Sequence, residues 1–233
     1  MTVRDQFPAS SGHPDPGTTR WLLRSGAVAG PLFVATFLVE DIRRTDYDPF
    51  RHPVSSLALG PAGWTQTLNF SLAGALYTAG AFGLARADTA DDSFGRDRHI
   101  QGPLLIGGAA LGLIGAAAFV TDPMSGYPPG TPDVLATYST SGALHDLLSV
   151  PTFLGIPAAA LVYALQFAHC DKPGWAAYSA ATGLAMPVAT VAASVAFSQA
   201  PTLVAHGGLL QRIAVTIGFT WLTALCLRAL RNR

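Results

Sequence analysis

Residues able to do chemistry lie in four short stretches of this chain, each beside an apolar run. The first holds His52, Ser55 and Ser56, between Asp46 and Gly60. The second holds Asp122 and Tyr127, in a segment rich in proline and glycine that reads as a rigid, turn-rich loop. The third holds Ser141, His145, Asp146 and Ser149. The fourth holds His206, Gln211 and Arg212. Two or three imidazoles plus a carboxylate can hold Zn²⁺ with one position open for water, and His52, His145, His206 and Asp122 are the candidate ligands. A serine beside a histidine can instead act as a nucleophile. Ser141, His145 and Ser149 are spaced to share one helix face, while Asp146 suits the positive end of the same helix. Arg212 falls about one turn inside an apolar helix, where an arginine needs a carboxylate partner. Asp122 and Asp146 are the carboxylates expected at its level. Asp122 itself sits at a helix C-terminus, which disfavours an acid unless it is solvated or a cation compensates.

The elements that must position these groups are apolar. Half of the 233 residues are hydrophobic, 12% are charged, and the mean hydropathy is +0.36. Soluble domains carry about 25% charged residues. Six apolar runs recur, over 21–39, 65–85, 103–121, 143–168, 174–197 and 208–230. Each is near the roughly 20 residues that cross a hydrocarbon core. The spacing predicts an all-α integral membrane bundle of six transmembrane helices in a lipid bilayer. Residues 1–20 read as a disordered cytoplasmic tail and 21–231 as one transmembrane domain. Residues 54–59, between Pro53 and Gly60, can form a short extra interfacial helix in the first outer loop, and Trp64 sits where aromatic belts form.

Prolines 31, 151, 157 and 187 fall inside the runs, where a bundle tolerates them as kinks. Gly108 and Gly112 form a G-x-x-x-G pair in the third run. It predicts a close helix contact inside the bundle, with a homodimer seam as the alternative. The formal net charge is zero, which gives no case for a nucleic-acid partner. Ten of the fourteen basic residues fall on the side of the termini, so the expected orientation in the cell membrane is N- and C-termini cytoplasmic. Cys170 and Cys226 then both fall on the cytoplasmic side, which fits reduced thiols.

Taken together, several strings resemble a prokaryotic six-helix membrane family catalogued as domain of unknown function 998. They are Tyr47-Asp-Pro-Phe-Arg-His-Pro-Val-Ser-Ser-Leu-Ala-Leu-Gly-Pro-Ala-Gly-Trp64, Asn69-Phe70 with Gly74, and Thr121-Asp122-Pro with Gly126-Tyr-Pro-Pro-Gly130. His145-Asp146 and Gly208-Leu-Leu-Gln-Arg212 complete the set. The resemblance implies the six-helix architecture and a polar outer cluster, and it supplies no activity.

Three functions fit such a cluster. The first is an intramembrane hydrolase acting on a lipid, with zinc as its possible cofactor. That arrangement is loosely similar to the alkaline ceramidase and adiponectin-receptor superfamily, although the paired histidines of that superfamily's last helix are missing here. The second is a protein that binds or transports a small solute or lipid, with Arg212 clamping an acid group. The third is a hydrogen-bonded cap that closes the outer end of the bundle.

Overall fold

A computed structural model describes residues 15–88 and 100–232. Six long helices dominate it. They are α1 (Pro16–Arg43), α2 (Trp64–Asp88), α3 (Gln101–Ala118), α4 (Thr140–His169), α5 (Pro173–Phe197) and α6 (Gly207–Arg231). All six lie in segments long and apolar enough to cross a membrane. Short 3-10 turns over Val54–Ala58 and Val204–His206 complete the described secondary structure, and the first stands where the short interfacial helix was expected. This is the fold class that the apolar runs predict.

Local chemistry sets the ends. Asp15 caps α1 by accepting from the backbone N–H groups of Gly17 and Thr18, and Pro16 occupies the first turn, where its missing donor costs nothing. The Thr18 hydroxyl and the two N–H groups hold the Asp15 carboxyl below its usual range. The helix therefore starts inside the segment expected to be tail, and residues 1–14 lie outside the described residues. It also runs on to Arg43, which places Glu40 and Asp41 in its last turn rather than in a loop. Pro31, Pro151, Pro157 and Pro187 all lie within uninterrupted helices.

The helices form a closed ring. Each packs against the next in sequence, and α6 returns to pack against α1. Both described termini therefore lie at one end of the bundle. The segments 44–63, 119–139 and 198–206 lie at the other, called here the loop end. Small residues permit the closest approaches: Gly26 of α1 meets Gly80 of α2 backbone to backbone. Phe33, Phe70, Tyr77 and Phe219 form a chain of edge and tilted ring contacts through the middle. Deeper toward the termini, Trp221 is fully buried and donates its indole N–H to Ser179 Oγ at 3.0 Å.

Within the bundle the G-x-x-x-G pair does not pack as a unit. A Cβ at Gly112 would press on the backbone of Thr152 and Leu148 in α4, whereas one at Gly108 would meet nothing within 4 Å. The α3–α4 seam uses Gly112 and Gly115, one position of the expected pair and one outside it.

Candidate functional site

The polar residues of the loop end fall into two groups with different surroundings. The first is a lock built on Arg212. Its Nε and Nη2 donate to the two oxygens of Asp41 at 2.9 and 2.5 Å. Nη2 also donates to Tyr47 Oη at 2.8 Å. Nη1 faces the carbonyls of Pro49, His52 and Gly208 at 2.8, 3.0 and 3.1 Å. The rings of Phe37 and Tyr47 flank the guanidinium, each centroid 5.6 Å away. Every N–H of the fork is thus matched, as a buried arginine requires.

The expected pairing of Arg212 with Asp122 or Asp146 is corrected here: Asp41 is the partner. The physical reason is depth. Asp41 lies near the end of α1 and Arg212 near the start of α6, and these neighbouring helices run in opposite directions.

The loop after α1 folds over this pair. Tyr47 Oη donates to Pro53 O at 2.8 Å, and Leu209 N–H donates to Phe50 O at 2.9 Å. Burial raises the Tyr47 phenol above its ordinary pKa, opposed by the neighbouring Arg212 charge. Gly208 lies beneath the loop, and a Cβ there would overlap the carbonyl oxygens of His52 and Pro49. His52 is buried. Its Nδ1 accepts from Asp48 N–H at 2.9 Å, so the neutral ring carries its proton on Nε2, which faces the Ser125 backbone. Burial lowers the His52 pKa, against the pull of Asp48. Tyr127 meets Tyr47 edge to face and His52 at a tilt, with ring centroids 5.1 and 5.2 Å away.

Two more arginines extend the lock. Arg51 ties the first loop to the second through Ser125 O at 3.0 Å and Asp133 at 2.7 Å. Arg44 bonds Glu40 at 2.9 Å and the carbonyls of Leu57 and Leu59. The sequence placed Asp41, Arg44, Tyr47 and Arg51 at this end but did not single them out, or Asp133, as site residues. The i, i+4 spacing of Glu40 and Arg44 was the available signal.

The second group lines a cavity of about 330 Å³ in the loop-end half of the bundle. Its floor is apolar: Phe33, Phe70, Leu113, Val215 and Phe219. Its polar lining includes Ser55, His145, Asp146, Ser149 and Gln211. Of these, Gln211 Oε1 is engaged by Val54 N–H at 2.7 Å. Ser149 Oγ donates to His145 O at 2.6 Å, leaving its lone pairs available. Ser56, in contrast, is fully buried away from the cavity, with its hydroxyl unpaired.

His145 is oriented by α3. Its Nδ1 lies 2.8 Å from Phe119 O and 3.1 Å from Ala116 O. Both partners are carbonyls, so Nδ1 carries a proton, and in the neutral ring Nε2 keeps a lone pair. The side chain is 4% exposed, and Nε2 meets no hydrogen-bond partner among the described residues.

The cavity opens sideways. Val150 and Leu154 of α4 are 44% and 64% exposed, and Ser194 of α5 is exposed across from them. Below this gap the two helices close, with Gly183 packed under Leu161 and the Pro157 carbonyl.

Asp122 belongs to neither group. Its Oδ2 accepts from Ser139 N–H at 2.7 Å, and Ser139 Oγ accepts from Gly142 N–H at 2.9 Å. The helix ends at Ala118, short of the expected 121, so Asp122 lies past it in the loop, and its compensation is the N-terminus of α4. His206 is exposed at the start of α6. The four suggested zinc ligands thus have separate surroundings. Among the described residues no three His, Cys, Asp or Glu side chains group to hold a metal. Cys170 and Cys226 form no disulfide with each other.

No curated protein and no solved structure matches the chain. A family model described as "Protein of unknown function (DUF998)" matches residues 27–228, which include every residue named in the lock and the cavity lining. The six apolar helices make this a multi-pass membrane protein, and the chain therefore belongs to the DUF998 family.

Proposed function

We propose that this protein binds an amphipathic, lipid-like molecule in the cavity between α4, α5 and α6, admitted from the membrane through the gap between α4 and α5. One observation carries the reading. The cavity combines an apolar floor with polar groups toward the loop end, and its mouth lies between helix surfaces that face lipid. Its volume suits a small-molecule pocket. Polar groups near an interface and apolar walls deeper down match a molecule with a head and a chain.

The distribution of basic residues supports a cell-membrane orientation with cytoplasmic termini, so the cavity would serve the outer leaflet. Arg212 has no part in ligand binding in this reading, because its donors are already matched within the lock. The lock holds the loop end closed above the cavity.

Native mass spectrometry of protein released from membranes tests the proposal. The wild-type protein should retain a bound amphiphile. Ala193→Phe, which projects a ring into the cavity from a lining position, should not. Equal retention by both proteins would overturn the reading.

Hydrolysis of the bound molecule is a second reading, favoured by the free Nε2 of His145. That nitrogen would take a proton from water as the water oxygen bonds to an ester carbonyl, then return the proton to the departing alcohol. Release of 4-nitrophenol from 4-nitrophenyl dodecanoate by wild type, and its loss in a folded His145→Gln variant, is the expected result. Equal rates in the two proteins would dismiss this second reading.

A further inference from the structure

We infer that the head of the bound molecule is a cation, a single-chain alkylammonium, rather than an acid or a phosphate. This rests on the amphiphile-binding reading above and names its ligand class. The observation is the charge inventory of the cavity. Asp146 is the only formally charged side chain in the lining, which holds no lysine or arginine.

Two features could have drawn an anion, and each is already occupied. Arg212 is paired with Asp41 and covered by carbonyls. The N-terminus of α4 holds the Asp122 carboxylate at Ser139 N–H, with Ser139 Oγ on the Gly142 amide. An anionic head would therefore meet an acid at Asp146 and find no compensating charge.

The polar lining suits a donor instead. In the neutral ring, with Nδ1 donating to the carbonyls of α3, His145 Nε2 offers a lone pair from a residue that is 4% exposed. Ser149 has spent its proton on His145 O and offers oxygen lone pairs. His145, Asp146 and Ser149 fall within two turns of one helix and line one cavity. An ammonium has three donors and no acceptor, which complements a carboxylate, an imine nitrogen and a hydroxyl oxygen. The chain of such a molecule would lie on Phe70, Val215 and Phe219. A neutral alcohol would fit the same space without the charge pairing.

The test compares dodecylamine, dodecanol and dodecyl phosphate on protein in nanodiscs of neutral phosphatidylcholine. Each competes with a fluorescent alkylammonium probe. Wild-type protein should bind dodecylamine about tenfold or more tightly than dodecanol, the scale of one charge-assisted contact, and should not bind dodecyl phosphate. Asp146→Asn should lose the preference for dodecylamine over dodecanol, and Asp146→Glu should restore it. Binding of dodecanol with no amine preference, or tight binding of dodecyl phosphate, would overturn the cation assignment and leave the cavity reading intact. Failure of all three to bind, with probe signal equal to that of Ala193→Phe, would overturn both.

Discussion

Arg212 and Asp41 stand 171 residues apart in sequence and form a two-pronged ion pair that joins the start of α6 to the end of α1. Because α1 and α6 also close the helix ring, the pair fastens the last seam of the bundle at its loop end. Both side chains are less than a tenth exposed. Removing one partner therefore strands a buried charge. Asp41→Ala should destabilise the protein by about 3–5 kcal/mol, whereas Asp146→Asn should leave the lock intact. Thermal unfolding in matched nanodiscs checks this, and Asp41→Ala melting with wild type would show that the pair contributes nothing.

Glycine positions give a second comparison. Gly208→Ala drives a methyl into the carbonyls of His52 and Pro49 and should lift the loop from Arg212. A loss of about 1–3 kcal/mol is the scale of overpacking at such a contact. Gly108→Ala meets open space and should be neutral or stabilising by up to about 1 kcal/mol through helix propensity. Melting temperatures in the reverse order would contradict the packing described for both.

Acidification should weaken the lock through His52. Its pKa is lowered below the ordinary 6.5, so below pH 6.5 the unfolded chain takes up a proton that the folded ring resists. Stability is then fully present above pH 6.5 and falls as the pH drops from there toward the lowered folded value. Protonation at Nδ1 would also break the bond from Asp48 N–H. A plot of melting temperature from pH 8 to 5 should fall more steeply for wild type than for His52→Gln. Parallel slopes would remove His52 as the cause.

Asp122 should behave as a helix cap. Asp122→Ala removes the acceptor of Ser139 N–H and should cost about 1 kcal/mol, the usual loss for a capping side chain. Asp122→Asn retains an acceptor oxygen and should lose less. If both variants fall by the 3–5 kcal/mol expected of a stranded buried charge, Asp122 has an ionic partner and the cap assignment fails.

The six helices were legible because each had to bury its backbone polar groups inside an apolar segment of bilayer length, which leaves a strong one-dimensional signal. The loop end was legible only as a concentration of polar residues. Its division into lock and cavity depends on depths that a sequence does not print. Ending α1 at Val39 put Asp41 in a loop and hid it as the partner of Arg212. Running the helix to Arg43 brings it to the right level. Tyr47 was hidden for a different reason, since its role comes from a loop folding back over α6. The apolar floor was unreadable as such, because Phe70, Val215 and Phe219 have the same composition as ordinary core.

A structure determined in lipid nanodiscs by electron cryomicroscopy tests the amphiphile site most directly. The expected result is elongated density running from beside Phe219 to His145 and Asp146, behind the gap between Leu154 and Ser194. Direct packing of Val150 and Leu154 against Thr190 and Ser194, with no chain between them, would contradict it.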